Sequence, residues 1–267
     1  MGRLGPDPSA PFVTSRRSSK EKKPWKDLAG IENRVEAEFL RPVLLGESIL
    51  PHRVFRTVEG VVPVTGTGAA LDAEAAALRG YDGVHGWMRK SEAVWKANAE
   101  NGSMTLIERW NYHNELSIQF PLAPLRVVYA ASGTNPCALV LKSDTAAIEH
   151  GIYWTAPKTL SECYFLAAVL NSETARERGV AYQARGQWGA RHFDKVVFNL
   201  PIPRFDPKHK VHAALAKAAA EAEAVAAAVE LPESVKFQRA RGLVRAALVE
   251  AGIAQRIDAL VAKLLDG

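Results

Sequence analysis

Long apolar runs are missing from this chain. No stretch reaches the roughly eighteen consecutive apolar residues that a membrane-spanning helix needs, although apolar residues make up 48% of its 267 positions. The N-terminal stretch MGRLGPDPSAPFVTSRRSS lacks the apolar centre of a secretory leader. Cysteine is scarce: Cys137 and Cys163 are the only two. That excludes a disulfide framework, fits a reducing compartment and makes the cytoplasm the expected location. Both thiols read as buried filler. The seven histidines show no zinc-type spacing with the cysteines. Acidic pairs able to hold Mg²⁺ for a nuclease are equally thin. Asp194 with Lys195 and Asp206 with Lys208 are too degenerate a pattern, and surface charge is the plainer reading. Ser132-Gly133-Thr134 has no evident base and reads as a turn.

Charge is present, and its distribution says more than the net +5. Residues 1–26 carry seven basic and two acidic side chains, and residues 27–120 carry nine and thirteen. Residues 121–211 carry eleven and seven, and residues 212–267 carry seven of each. The positive field therefore belongs to the N-terminal tail and to the segment before residue 211. A phosphate backbone favours such a surface; a solvated basic face without a partner is the alternative.

Residues 1–26, rich in Pro, Ser, Arg and Lys, read as a disordered basic tail or linker. A linker in that place suggests that something once preceded it. Short elements broken by Pro42 and Pro51 follow. Val58–Val64 reads as an edge strand or hairpin because Pro63 is unsuited to a central strand. Ala69–Leu78 is helical by propensity. Residues 80–89 (GYDGVHGWMR), with three glycines, read as a loop or irregular binding edge, and Ser91–Ala99 as a short helix capped by Ser91. Arg126–Ala131 and Cys137–Leu141 are β-prone runs expected to pair as a hairpin, with Ile152–Thr155 a further strand.

The stretch Thr159–Arg204 is the expected organising centre. Thr159 and Glu162 have capping-box spacing, a helix follows, and Asn171 and Ser172 end or restart it. A glycine-punctuated basic loop, Arg185–Arg191 (RGQWGAR), leads to a strand candidate, Val196–Leu200, which Pro201 and Pro203 close. Beyond Phe205 the pattern turns helical. Asp206-Pro207 is a start signal. Val211, Leu215, Ala218, Ala222, Val225 and Val229 then recur at alternating steps of four and three, as along a short coiled-coil seam. Pro232 ends that helix, and Gly252 separates two more. The expected fold is α+β: a mixed or antiparallel sheet domain over residues 27–205, and a small helical spacer or docking unit over residues 206–267.

Five phrases, in order, carry a resemblance: RPVLLGESI (Arg41–Ile49), HNELSIQ (His113–Gln119), YFLAAVLNSE (Tyr164–Glu173), RGQWGARHFDK (Arg185–Lys195) and FNLPIPRFD (Phe198–Asp206). Together they resemble the target-recognition part of adenine-N6 DNA methyltransferases, including Eco57I-like restriction–modification enzymes with a TaqI-like specificity region. The resemblance runs from about residue 27 to the C-terminus. It implies sequence-specific double-stranded DNA as partner. It also implies S-adenosylmethionine as cofactor of the full-length family, bound on a catalytic domain or subunit. This chain departs from the family there. Gly66–Gly68 lacks the strand–turn–helix setting of a cofactor loop. Asn135-Pro136-Cys137 is not the Asn/Asp-Pro-Pro-Tyr/Phe motif that receives a flipped adenine. The expectation is a recognition region without cofactor or catalysis of its own, a fragment or one piece of a split system.

Within that reading, Arg185, Gln187 and Arg191 suit base edges or phosphates. Gly186 and Gly189 allow close backbone approach, and Trp188 either wedges between bases or packs in the core. Lys195 and Arg204 suit phosphates, and Arg53 and Arg89 flank expected loops that line a groove. Asn171 suits base edges or phosphates less firmly, Arg56 and Lys90 flank the same expected loops, and Tyr112, His113 and Asn114 stand between nucleic-acid contact and buried hydrogen bonding. Two other functions remain: a structural or partner-binding protein acting through an apolar patch on the Val211–Val229 helix, and an unusual Mg²⁺-dependent nuclease.

Overall fold

The computed structural model describes residues 9–16, 21–99, 104–130, 135–180 and 199–266. In chain order the strands are β1 (Phe12–Thr14), β2 (Glu32–Arg34), β3 (Leu40–Leu44), β4 (Ile49–Leu50), β5 (Arg53–Val54) and β6 (Val58–Val61). Helices α1 (Ala73–Leu78), α2 (Asp82–Asn98) and α3 (Leu106–Trp110) follow. Then come β7 (Leu125–Ala130), β8 (Ala138–Lys142), β9 (Ala147–Ile148) and β10 (Ile152–Thr155). The chain ends in α4 (Leu160–Asn171), α5 (Glu173–Val180), α6 (Lys210–Ala228), α7 (Phe237–Glu250) and α8 (Ile253–Asp266). The class is α+β, with small sheets first and helices towards the C-terminus.

The chain forms two compact units. Unit 1 comprises Met1–Val43 and Glu59–Leu122; unit 2 comprises Leu44–Val58 and Ala123–Gly267. The expected division between residues 205 and 206 falls inside unit 2, where α6, α7 and α8 share one core with β7, β8 and α4.

In unit 2, β7 lies between β10 and β8, antiparallel to both. Val127 pairs with Val140 and Val128 with Leu139. Because side chains alternate, Val127, Tyr129 and Val140 join the core shared with the helices. Val128, Leu139 and Leu141 join a second cluster with Leu44 and Ile49. Both faces being covered, β7 and β8 read as nearly unbroken apolar runs. Arg126 is the exception in β7. It is wholly buried, and its Nη2 donates to Ser143 O and Ala146 O at 2.9 and 2.6 Å. Burial lowers its pKa to about 10.

Helix α4 begins where its sequence signals. Thr159 Oγ1 accepts from Glu162 N at 3.2 Å, while the Glu162 carboxylate accepts from Lys158 N rather than from the capping residue. Phe165, Ala167, Ala168 and Val169 are all fully buried, as expected for a helix apolar on every side. Ser172 closes α4 and its Oγ accepts from Ala175 N, opening α5. The α6 seam is as periodic as its sequence: Leu215, Ala218 and Ala222 are buried. Losing one such leucine costs about 2–5 kcal/mol. Helix α6 starts at Lys210, later than Asp206-Pro207 suggests, because Asp206 Oδ1 closes a turn onto Lys208 N. Gly252 at φ +68° makes the break between α7 and α8.

In unit 1, β1 pairs with β2 antiparallel and β6 with β3. Helices α1, α2 and α3 pack over a core that includes Val35, Phe39, Leu71, Val84, Trp87 and Met88. Residues 80–89 are not the loop that three glycines suggest: helix α2 runs through most of them. The Glu36 carboxylate accepts from Gly83 N and Val84 N at 2.7 and 2.9 Å, capping the helix from a distant segment. A Cβ on Gly83 would stand 2.7 Å from Glu36 Oε2, and one on Gly86 2.6 Å from Asn33 Nδ2. These glycines therefore admit the β2 segment against the helix. Ser91 lies inside α2, donating to Trp87 O, and Glu92 instead caps α1 by accepting from Ala73 N.

Among the described residues no helix is long and apolar enough to cross a membrane. Cys137 and Cys163 are free and buried, and burial pushes both thiols up to about 11.

Candidate nucleic-acid interface

A cleft of about 360 Å³ opens in unit 2 where β7, β10 and α4 meet the segment Leu200–Phe205. Its aromatic lining includes Tyr129, Tyr153 and Phe205. The two tyrosine rings stack at 5.3 Å and 18°, an offset arrangement worth about 1 kcal/mol beyond the area buried. Arg204 belongs to the same lining and is exposed, as does Glu162.

The chain holds Arg204 in place through its neighbours. Phe205 packs against Phe165 with ring centroids 5.5 Å apart. Asp206 N donates to Nδ1 of the buried His212 at 3.0 Å. Accepting that bond leaves Nδ1 unprotonated, so the neutral ring carries its proton on Nε2. Burial, and then the neighbouring His209, lower the His212 pKa. A fixed backbone thus presents an exposed cationic side chain at an aromatic cleft. That combination can stack a planar group while meeting an oxyanion.

The other expected contacts divide sharply. Arg185, Gln187, Trp188, Arg191 and Lys195 lie outside the described residues, as do His192 and the first three residues of the Val196–Leu200 strand candidate; its last two, Asn199 and Leu200, are described and do not lie in a strand. Arg89 is exposed on α2 of unit 1. Arg53 has an internal job that its place in β5 did not announce. Its Nη1 donates to Ala226 O and Val229 O at 2.8 and 2.7 Å, satisfying carbonyls at the C-terminal end of α6. Arg56 similarly donates to Glu233 O and lies over the Phe55 ring. Lys90 donates to Glu32 O at 2.6 Å.

Asn171 directs its amide inward. Its Oδ1 accepts from Ala138 N at 3.0 Å and its Nδ2 donates to Ala138 O at 2.9 Å, so the amide mimics a neighbouring strand at the start of β8. The same Nδ2 lies 2.9 Å from Ala167 O and 3.2 Å from His52 Nε2. Arg241 and Arg245, which sequence reading passed over, bind backbone carbonyls of Ile49, Gly46 and Pro136. Arginine-to-carbonyl bonds of this kind tie α7 to loops and leave no mark in local sequence. Among the described residues no three His, Cys, Asp or Glu side chains converge as a metal site.

No family model matches the chain, and no curated protein matches it. A solved structure of the type IIL restriction–modification enzyme MmeI in complex with DNA does match in fold, with a TM-score of 0.53 at 10% identity. The match covers 85% of this chain and 28% of that one. This chain is thus similar to about a quarter of a longer enzyme, and the likeness is one of fold.

Proposed function

We propose that this chain is the DNA-recognition region of a restriction–modification enzyme. The observation that carries the reading is that 85% of the chain follows the fold of part of MmeI, an enzyme solved on DNA. The basic balance of residues 121–211 and the exposed Arg204 beside an aromatic cleft are consistent with it. In this reading Arg204, Arg89 and Lys195 meet phosphates, which set register without reading sequence. Arg185, Gln187 and Arg191 read base edges, and Trp188 stacks or wedges. The finer assignment, the specificity region of an adenine-N6 methyltransferase of TaqI or Eco57I type, rests on the five sequence phrases. S-adenosylmethionine then belongs to a separate catalytic domain or subunit, and this chain binds without catalysing.

The competing reading, a partner-binding protein acting through the Val211–Val229 helix, needs an apolar patch there. The buried side chains of α6 already belong to the core of unit 2, so the cleft reading is preferred.

Duplex binding measured across a salt series tests the proposal. The parent should lose affinity steeply with salt, and Arg204→Ala, Arg185→Ala and Arg191→Ala should each weaken binding. Removing one phosphate contact lowers the salt slope by about 1. Equal affinity of all four proteins at every salt concentration would remove this surface from the argument.

A further inference from the structure

The sequence leaves Tyr112, His113 and Asn114 between internal bonding and nucleic-acid contact. In unit 1 all three are exposed. Eight large apolar side chains are exposed among the described residues, and three fall between positions 110 and 118: Trp110 at 39%, Tyr112 at 47% and Ile118 at 67%. Concentration of that kind marks an interaction surface, whereas scattered exposure does not.

The turn that carries them is fixed. His113 and Asn114 take left-handed backbone angles, φ +51° and +61°, which cost about 1 kcal/mol or more each for residues with a Cβ. Asn111 holds them there: its Oδ1 accepts from Ser117 N and its carbonyl from Asn114 N, both at 2.8 Å. Gly68 backs the following turn, where a Cβ would stand 3.3 Å from Phe120 O.

Beside this turn lies an open groove of about 470 Å³, lined by apolar Met104 and Ile107, by the carboxylates of Asp72 and Glu108, and by Tyr112 and His113. Each carboxylate is oriented by the helix it caps. Asp72 Oδ1 accepts from Ala75 N at 2.7 Å, and Glu108 Oε2 accepts from Thr105 N and Oγ1 at 2.7 and 2.9 Å. The Thr105 bonds hold the Glu108 carboxyl below its ordinary pKa, so it is charged at neutral pH. Asp72 Oδ2 and Glu108 Oε1 accept no hydrogen bond among the described residues. Residues 59–122 carry eight acidic and five basic side chains, and both acidic residues lining the groove, Asp72 and Glu108, have no lysine or arginine beside them in that lining. An arginine or lysine fits the same groove: its cation meets free carboxylate oxygens and an aromatic face, and its stem meets Met104 and Ile107.

We propose that this groove docks a protein partner through a basic segment in which arginine or lysine alternates with apolar residues. The inference is independent of DNA binding by unit 2. The test uses the whole chain and three labelled probes: a peptide alternating arginine and leucine, its glutamate–leucine counterpart, and a DNA duplex. The arginine peptide should bind and the glutamate peptide should not. Tyr112→Ala, and separately Glu108→Gln with Asp72→Asn, should weaken the arginine peptide about tenfold or more, near 1.4 kcal/mol. Glu59→Gln should leave it unchanged. Tyr112→Ala removes only an exposed ring, so its melting curve should match the parent's, and this variant decides the matter if the carboxylate pair proves unstable. Absent binding of the arginine peptide, or equal binding by parent and Tyr112→Ala, would overturn the proposal. Loss of duplex affinity in Tyr112→Ala with peptide binding intact would assign the surface to DNA and overturn it equally.

Discussion

His52 Nε2 lies 3.2 Å from Asn171 Nδ2, and an amide nitrogen only donates. The amide orientation is fixed, because Asn171 Oδ1 takes the Ala138 amide and Nδ2 the Ala138 carbonyl. Nε2 is therefore the acceptor, and the ring is neutral with its proton on Nδ1. His52 also donates its own backbone N–H to Ala138 O at 2.8 Å, from a left-handed φ of +58°. One turn, one strand and one helix are thus tied together around an uncharged imidazole.

Acid should loosen that knot. Burial lowers the His52 pKa to about 4 from an ordinary 6.5. Between those values the unfolded chain binds a proton and the folded chain does not, so stability is fully present above about pH 6.5 and falls towards pH 4. The loss from this group is about 3 kcal/mol. Urea unfolding followed across that range, in the parent and in His52→Phe, should show the gap between them narrowing as pH falls. An NMR titration placing the His52 midpoint near 6.5 would contradict the account.

Asn171→Ala should be costly although it deletes few atoms. It leaves the Ala138 amide without its partner in a buried place, takes one of two donors from the Ala138 carbonyl, which keeps the His52 backbone N–H, and removes the amide beside His52 Nε2; the expected loss is about 1–3 kcal/mol. Asn171→Asp should not rescue it, since a carboxylate has no hydrogen to give Ala138 O. Chemical denaturation of the three proteins measures both effects.

Two helical glycines should respond in opposite senses to alanine. At Gly83 the new Cβ would stand 2.9 Å from Arg34 O and closer still to the Glu36 carboxylate, so a net loss of about 1–3 kcal/mol is expected despite better helix propensity. At Gly242 in α7 nothing lies within 4 Å of the new Cβ, and a gain of about 0.5–1 kcal/mol is expected. Thermal melts of the two variants should shift in opposite directions.

Arg53→Ala should lower stability by about 1–2 kcal/mol by releasing the carbonyls of Ala226 and Val229. Arg53→Lys should restore only part of it, because both bonds come from Nη1 and the ammonium sits on a shorter stem. Unfolding curves give the first measurement. Duplex affinity of the folded Arg53→Ala protein then tells whether the residue also meets DNA.

What could be read from sequence was what repeats locally. The β-branched and aromatic runs gave β7, β8 and β10 as strands and the pairing of β7 with β8, and the four-three spacing from Val211 to Val229 gave the buried side of α6. Residues 80–89 misled because glycine at a turn and glycine at a close contact look alike. The partners that distinguish them, Asn33 and Glu36, stand about fifty positions away. The internal bonds of Arg53 were hidden for the same reason, its carbonyl partners lying 173 and 176 residues downstream. The helix end at Asn171 is legible locally; the bonds of its amide to Ala138 are not, because they join residues 33 positions apart. Arg204 was legible as a cation suited to phosphates, but the cleft beside it is assembled from β7, β10 and α4.

The polypeptide passes from one compact unit to the other three times, after Val43, Val58 and Leu122. A single breakpoint in the gene therefore cannot hand either unit intact to another protein. A chimaera that keeps the Arg204 cleft must inherit the short piece Leu44–Val58 together with everything from Ala123 onward. Any recombination that keeps both units whole through a single junction should accordingly exchange the entire chain.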